Sequence, residues 1–242
     1  MSAGKIYGVG LGPGDPDLMS VRADRLLRNA RHVAFFRKPG RSGQARKIVN
    51  GMIRGDAVEF PMEYPVTTEI PLTDPRYNEL LSAFYKDCAA HLKTLSDEGE
   101  DVVVLCEGDP FFYGSFMHLY SRLRDEADVE VVPAITGMSG AWTATGDPIT
   151  WGDDVLTVLV GTLPEDTLAE RMAQTDALVV MKIGRNIEKV KRALKTAGLY
   201  DRAWIVEYAQ MPNQTVTKLS EACDKVTPYF SIIIVHGQGR RP

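Results

Sequence analysis

The sequence lacks long apolar segments and has few residues suited to disulfides or metal binding. Its 242 residues contain no run of about eighteen apolar side chains, which excludes a membrane-spanning helix. The cysteines, Cys88, Cys106 and Cys223, are odd in number and widely spaced, which indicates reduced thiols rather than a disulfide framework. The four histidines show no metal-ligand spacing, so we expect no structural metal.

The sequence also lacks an excess of positive charge. Its formal net charge is −4, which gives no basis for binding nucleic acid or an anionic membrane surface. No secretory or transit segment opens the chain, and together with the reduced thiols this predicts a cytoplasmic protein. The hydrophobic fraction of 44% is ordinary for a soluble globular protein, and the length allows one large or two modest domains.

Apolar runs typical of buried strands alternate with segments of helical spacing. The strand-like runs are 6–11, 32–36, 102–106, 129–132, 155–160, 177–181, 203–206 and 230–235, and the helical segments are 21–30, 75–95 and 187–197. This alternation predicts an α/β fold with largely parallel sheets covered by helices. Glycine, proline and aspartate concentrate at residues 146–153, so we place there a boundary between two α/β domains, 1–146 and 147–242.

Glycine stands at every second position from Gly8 to Gly14. This spacing leaves one face of a predicted strand without side chains, so that something can pack against bare backbone. It is not the Gly-x-Gly-x-x-Gly fingerprint of dinucleotide-binding proteins, and no Gly-Lys-Ser/Thr phosphate loop occurs in the chain. The sequence therefore predicts a pocket for a nucleotide-like ligand, without the two glycine motifs that usually bind pyrophosphate.

A second apolar run ends in Glu-Gly-Asp-Pro at residues 107–110. Open α/β sheets bind their ligands at the carboxyl ends of strands, and Gly108 lets a ligand approach the backbone closely. The Asp109 carboxylate accepts hydrogen bonds only, which suits a ligand with an ammonium group or ribose hydroxyls. Aspartate is also a common helix cap, so both interpretations of Asp109 stay open.

These two glycine-containing segments resemble the paired motifs of the tetrapyrrole methylases, which use S-adenosylmethionine in cobalamin and sirohaem synthesis. The resemblance rests on residues 10–16, Gly-Leu-Gly-Pro-Gly-Asp-Pro, and 107–114, Glu-Gly-Asp-Pro-Phe-Phe-Tyr-Gly. It implies two α/β domains with S-adenosylmethionine in the cleft between them, and a homodimer. Within the family, the chain is most similar to the members that methylate precorrin-2 at C20, giving precorrin-3A. This narrower resemblance rests on residues 64–70, 181–186 and 228–231.

Two alternatives to this activity stay open. Cobalt-factor II, the substrate of the oxygen-independent route, shares with precorrin-2 both the ring and the carbon that is methylated. A protein of another class, which binds the methyl donor or the tetrapyrrole without turnover, would carry the same motifs. The sequence separates the two substrates only weakly.

The resemblance also implies which residues contact S-adenosylmethionine. The expected set is Pro13, Glu107, Gly108, Asp109, Phe112, Thr136, Gly137, Met181, Lys182, Ala209 and Gln210. The chain departs from the family at Ala134 and Ala209, where glycine is usual. A positive φ at Ala134 would be costly, so we expect a slightly different loop there. Met181 has an equally good explanation in core packing.

Residues 37–47, the basic segment, carry five cations and no acidic residue. The substrate that the resemblance implies is a tetrapyrrole rich in carboxylates, and an electropositive lip would steer such a polyanion. The predicted substrate-binding residues are Arg37, Lys38, Arg41, Arg46 and Tyr64. Most basic runs are solvated loops, and that interpretation of the segment stays open as well.

Methylation of a meso carbon needs no covalent protein nucleophile, and the group that removes the proton stays open. In the sirohaem branch of the family, an aspartate just after the second strand is the proposed acceptor, but here that position falls near Phe36. Tyr113 and Asp15 are polar groups inside the matching motifs, and we take them as candidate catalytic residues. Tyr64 is a third group of this kind. All three have ordinary structural explanations as packing rings or a cap.

Overall fold

The computed structural model describes residues 3–67, 70, 74–222 and 227–241. The chain divides into two compact units, Met1–Thr136 and Gly137–Pro242. The division falls ten residues before the boundary expected from the glycine, proline and aspartate residues at 146–153, because the helix that follows Thr136 packs in an apolar cluster of the second unit. Cys223 and residues 68–69, part of one matching motif, lie outside the described residues.

The first unit is built on a five-stranded sheet in which every pairing is parallel. The strands are β1 (Lys5–Gly10), β2 (His32–Arg37), β3 (Val58–Glu63), β4 (Val102–Cys106) and β5 (Asp128–Val132), in the order β3-β2-β4-β1-β5. The prediction of a parallel α/β unit is confirmed here. The sequence did not predict β3, because Glu59, Pro61 and Glu63 interrupt its apolar pattern.

Helices cover both faces of this sheet. They are α1 (Val21–Asn29), α2 (Gln44–Ile48), α3 (Pro75–Asp97) and α4 (Phe116–Leu123). All five side chains of β4 are buried. Val104 and Cys106 belong to an apolar cluster with α3 and α4, whereas Val103 and Leu105 belong to one with α1 and α2. Alternate side chains of one strand thus face two apolar layers, as expected for a parallel sheet covered on both sides.

The second unit contains a mixed sheet. Its strands are β6 (Leu156–Val160), β7 (Ala177–Met181), β8 (Ala203–Glu207), β9 (Thr215–Lys218) and β10 (Ser231–Val235), in the order β6-β7-β10-β8-β9. In the part of this unit that the structure describes, only β6 and β7 pair in parallel. The prediction of largely parallel strands is therefore corrected for this sheet. Parallel pairing requires a long crossover, and no α-helix lies between β8 and β10 in the described residues.

Three helices pack on this second sheet: α5 (Gly137–Ala144), α6 (Glu165–Met172) and α7 (Ile187–Thr196). The last of them agrees with the predicted helical segment 187–197. Gly198 follows it with a φ of +70°, which is typical of the residue after a helix C-cap. Within the described ranges, no helix has the length and apolar character needed to cross a membrane.

Candidate functional site

The predicted site residues of the first unit lie at or after the carboxyl ends of its strands. Pro13 and Asp15 follow β1, the basic segment begins at the last residue of β2, and Tyr64 follows β3. Residues 107–113 follow β4, and Thr136 follows β5. Because the five strands are parallel, these segments all leave the same edge of the sheet, where open α/β sheets bind their ligands.

The loops after β1 and β4 are joined backbone to backbone. The Gly108 N–H donates to the Gly12 carbonyl at 2.9 Å, and the Leu11 N–H donates to the Cys106 carbonyl at 2.9 Å. Gly12 has a φ of +79° and Gly108 a φ of +63°, which are conformations that favour glycine. The two motifs that carry the family resemblance therefore form one continuous backbone surface.

Gly10 is required by the close approach of three segments. A Cβ atom at this position would lie 2.8 Å from the Gly108 carbonyl oxygen and 2.6 Å from the Ala134 Cβ atom. These separations are shorter than van der Waals contact, so a larger residue would displace the loop after β4 or the loop after β5. The bare backbone of the alternating glycines thus brings the loops of the site against one another.

The Asp109 carboxylate binds two backbone N–H groups. Its Oδ1 accepts from Phe111 at 2.9 Å, within its own turn, and its Oδ2 accepts from Ala134 at 3.0 Å, on the loop after β5. The first bond is the cap-like contact that the sequence left open. The second ties the β4 loop to the loop that leads to Thr136. Each carboxylate oxygen has two acceptor sites, so Asp109 positions both loops and can still accept from a ligand.

Glu107, the other acid of the β4 loop, also binds a backbone N–H. Its Oε1 accepts from Ala45 at 3.0 Å, at the beginning of α2, so this carboxylate ties the basic segment to the β4 loop. The side chain is exposed, yet desolvation by the surrounding protein raises the pKa of the Glu107 carboxyl to about 7, against a lowering by the Ala45 hydrogen bond.

The remaining polar and aromatic residues of these loops have identifiable structural contacts. Asp15 accepts from the Asp17 N–H at 2.9 Å and caps a short 3₁₀ turn, which favours the cap interpretation of Asp15 over a catalytic one. Pro13 is buried, and Phe112 is half-buried. The Phe112 ring lies edge-on to that of Tyr113, with 4.9 Å between centroids.

Strained backbone in the described residues coincides with the predicted site. The non-glycine residues with positive φ are Tyr113 (56°), Lys182 (52°), Tyr208 (52°) and Gln210 (60°). Three of them are predicted site residues, and Tyr208 directly precedes a fourth, Ala209. Such a conformation costs of order 1–3 kcal/mol, persists only where the surroundings impose it, and concentrates at functional sites. The strained positions therefore lie among the predicted site residues of each unit, whose roles stay predictions.

The predicted site residues of the second unit lie at the ends of β7 and β8. Met181 is the last residue of β7 and Lys182 follows it. Ala209 and Gln210 follow β8, and the Gln210 side chain donates to the Gly140 carbonyl in α5 at 3.0 Å. Met181 packs against an apolar cluster of this sheet, so the packing explanation applies to it whether or not it also contacts a ligand.

The two departures from the family pattern cause no backbone strain. Neither Ala134 nor Ala209 has a positive φ, so the loop at Ala134 avoids the conformation that would have been costly there. Ala134 instead donates its N–H to Asp109. Gly137, the remaining predicted residue, begins α5, and a Cβ atom there would meet Ile232 at 3.7 Å, an ordinary contact.

Two arginines of the basic segment are paired with acids of β3. Arg37 lies 2.7 Å from Glu63, and Arg46 forms a two-pronged pair with Glu59 at 2.8 and 2.9 Å. These pairs hold the segment against β3 and leave less positive charge for a polyanionic substrate. Sequence reasoning missed both pairs because it did not predict β3, which supplies the acids.

Lys38 and Arg41 are exposed, and in the described residues neither forms an ion pair. Replacing both with glutamine is expected to raise the KM for the tetrapyrrole by up to about fivefold per charge, because an exposed charge contributes up to about 1 kcal/mol. The rise should shrink at high salt, and the Kd for S-adenosylhomocysteine should not change. Arg46→Gln, the control, should lower Tm more than it alters KM. An unchanged KM at every salt concentration would identify the segment as a solvated loop.

Tyr64 belongs to a cluster of rings and hydroxyls beside the β4 loop. Its hydroxyl lies 2.5 Å from the Ser115 Oγ atom, and its ring stacks on Phe36 with 5.5 Å between centroids. Tyr85 packs against Phe36 in the same cluster, and burial raises the pKa of its hydroxyl. An aromatic ring, not a carboxylate, therefore stands near the position of the aspartate found in the sirohaem branch.

Comparison with known proteins identifies the family. Residues 5–223 match the family model described as Tetrapyrrole (Corrin/Porphyrin) Methylases. The chain belongs to this family. The methylase is 47% identical over 242 residues to a Sinorhizobium protein named Precorrin-2 C(20)-methyltransferase, and the match covers 100% of this chain and 99% of that protein. It is 28% identical to the Cobalt-precorrin-2 C(20)-methyltransferase of Salmonella typhimurium, with 97% of each chain covered.

A solved structure agrees with this assignment. The uroporphyrin-III C-methyl transferase of Thermus thermophilus, complexed with S-adenyl homocysteine, resembles the methylase with a TM-score of 0.66. The match covers 96% of this chain and 92% of that chain at 24% identity. At this identity the likeness establishes the fold, and it confirms the predicted tetrapyrrole methylase-like α/β architecture.

Proposed function

We propose that this methylase transfers the methyl group of S-adenosylmethionine to C20 of precorrin-2, giving precorrin-3A and S-adenosylhomocysteine. The observation that carries the proposal is the 47% identity over 242 residues to the Sinorhizobium Precorrin-2 C(20)-methyltransferase. Identity to the Salmonella relative named for the cobalt-containing substrate is 28%. The larger identity favours the metal-free substrate.

The loops of the first unit suit a positively charged methyl donor. They present backbone carbonyls and the Asp109 carboxylate, which accept hydrogen bonds without donating protons. When bound, S-adenosylmethionine supplies a methyl group on a cationic sulfur. The further residues proposed to contact it are Pro13, Glu107, Gly108, Phe112, Thr136, Gly137, Met181, Lys182, Ala209 and Gln210.

The proposed residues differ in their tasks. Asp109 and the neighbouring carbonyls accept from the ammonium group and orient the cationic end of the donor. The half-buried ring of Phe112 limits access of water, so that the methyl group goes to carbon and not to solvent. Holding the electron-rich carbon in line with the methyl group lowers the barrier through proximity and orientation. No covalent bond to the protein is needed.

Turnover of two tetrapyrroles tests the proposed function. The purified protein is incubated with methyl-labelled S-adenosylmethionine and either precorrin-2 or cobalt-factor II. We expect labelled precorrin-3A from the first incubation, with a ring that stays metal-free. Methylation of cobalt-factor II alone would assign to this chain the activity for which the Salmonella relative is named.

A binding protein without turnover is the alternative from another class. Its sequence support was the loss of two family glycines, but Ala134 and Ala209 adopt ordinary backbone conformations. Calorimetry with S-adenosylhomocysteine separates the two functions when it is combined with the turnover assay. Tight binding with no product from either tetrapyrrole would establish the binding protein.

We further propose the assembly and location that the family resemblance implies. A homodimer is the commonest closed assembly of soluble proteins. A cytoplasmic location suits reduced thiols, and Cys88 and Cys106 are free and buried. Charge gives no reason to add nucleic acid or a membrane as a partner, since the net charge is −4. In the described residues, no three His, Cys, Asp or Glu side chains are grouped to hold a metal ion.

A further inference from the structure

Building on the proposed function, we propose that Glu107 is the catalytic residue that removes the proton from C20. As the C20–CH₃ bond forms, the S–CH₃ bond breaks, and the ring carries a positive charge while C20 still bears its hydrogen. Transfer of that proton to the Glu107 carboxylate breaks the C20–H bond, and the released electron pair restores the conjugated ring. The proton then passes from the exposed carboxyl to water.

Glu107 occupies the right place for this step. It is the first residue after β4, the central strand of the first sheet, and it lies at the edge where the predicted site residues gather. Its Oε1 accepts the Ala45 N–H. Its Oε2 has neither a hydrogen-bond partner nor an ion-pair partner among the described residues. One oxygen therefore anchors the carboxylate, and the other is available to take a proton.

The other candidate groups are less suited to the task. Both Asp109 oxygens already accept backbone N–H groups, and Asp15 caps a turn. A tyrosine hydroxyl, as at Tyr64 and Tyr113, already carries its own proton and is a weaker base than a carboxylate. The Glu107 carboxylate accepts a proton directly, and with its pKa raised to about 7 a large fraction of it is ionised at neutral pH.

The surroundings of Glu107 make its carboxylate a stronger base. Desolvation raises the pKa to about 7, and a general base works best when its pKa lies near the operating pH. The charged side chains on neighbouring loops and on α2 are Asp15, Asp17, Arg37, Lys38, Arg41, Arg46, Lys47 and Asp109. None of them forms an ion pair with Glu107 in the described residues, and two of the arginines are paired with acids of β3.

Glu107→Gln tests the assignment, because the amide oxygen still accepts the Ala45 N–H but the amide cannot take the proton. The kcat with precorrin-2 is expected to fall by about 10²–10⁴-fold, the usual contribution of general base catalysis. Tm should change little, and the Kd for S-adenosylhomocysteine should change far less than kcat. The kcat of the parent should fall as the pH is lowered below about 7, and this dependence should vanish in the variant. With precorrin-2 deuterated at C20, the kcat of the variant should show a primary isotope effect.

Two further measurements make the outcome decisive. Asp17→Asn removes the same charge from an exposed side chain of the β1 loop and should leave kcat unchanged. Carbon-13 NMR should show the Glu107 carboxyl, assigned by its loss in the variant, titrating above the ordinary value of 4.5. A Glu107→Gln variant with the parental kcat would overturn the assignment and leave the proposed function intact. A parent that methylates neither tetrapyrrole would overturn both.

Discussion

Gly8→Ala is expected to lower the free energy of unfolding by about 1–3 kcal/mol or more, the usual cost of adding an atom to a packed core. A methyl group on this residue would overlap the ring of Phe116. That ring is 1% exposed and lies in the apolar cluster shared by α3 and α4, so it has no free space to enter. Urea unfolding measures the loss as a lower midpoint with an unchanged slope.

Two further variants separate this clash from a general effect of alanine. Gly55 has no heavy atom within 4 Å of an added Cβ atom and no positive φ, so Gly55→Ala should be neutral or stabilise by up to about 1 kcal/mol. Adding Phe116→Leu to the Gly8→Ala variant should cost less free energy of unfolding than the two single changes summed. The smaller leucine side chain leaves room for the methyl group. A Gly8→Ala protein that unfolds at the parental midpoint would contradict this packing.

Asp109→Ala is expected to weaken the binding of S-adenosylhomocysteine by about ten- to a hundredfold. The change removes hydrogen bonds from the N–H groups of Phe111 and Ala134, and a hydrogen bond to a charged group contributes roughly 1.5–3 kcal/mol. Loss of the Ala134 bond frees the loop that leads to Thr136 from the β4 loop. Isothermal calorimetry measures the affinity directly.

Asp109→Asn is the matched control for this prediction. Its single amide oxygen can accept one of the two N–H groups, while its amide nitrogen faces the other, so an intermediate affinity is expected. Circular dichroism and Tm establish that both variants are folded. Unchanged affinity in a folded Asp109→Ala protein would leave Asp109 as the cap of its own turn and nothing more.

The sequence predicts the fold best where burial makes a strand uniformly apolar. β4 and β7 are continuous runs of this kind, and a parallel strand covered on both faces has no polar side. β3 alternates glutamates with apolar residues around Pro61, and β9 reads Thr-Val-Thr-Lys, so neither is apolar enough to recognise. β10 reads Ser-Ile-Ile-Ile-Val and is almost as uniformly apolar as the parallel strand β4, so its composition does not predict its antiparallel pairings.

The location of the site follows from topology, but its internal contacts do not. A strand-ending motif predicts that Glu107 and Asp109 lie at the edge of the sheet. It cannot predict that Glu107 meets Ala45, 62 positions away, or that Asp109 meets Ala134, 25 positions away. The positive φ of Tyr113 and of Gln210 is likewise imposed by the tertiary structure, and these residue types give no local signal for it.

Glu107 and Asp109, the two acids of the β4 loop, accept hydrogen bonds from main-chain N–H groups of neighbouring loops and not from side chains. Every amino acid except proline supplies such a donor. The chemical identity of the side chains at Ala45 and Ala134 is therefore irrelevant to these two bonds, and only the available room restricts them. Ala45 is 3% exposed and Ala134 is half-buried. Position 134 is thus a place where protein engineering can vary a side chain at this edge of the sheet while keeping the bond that joins the β4 loop to the loop after β5.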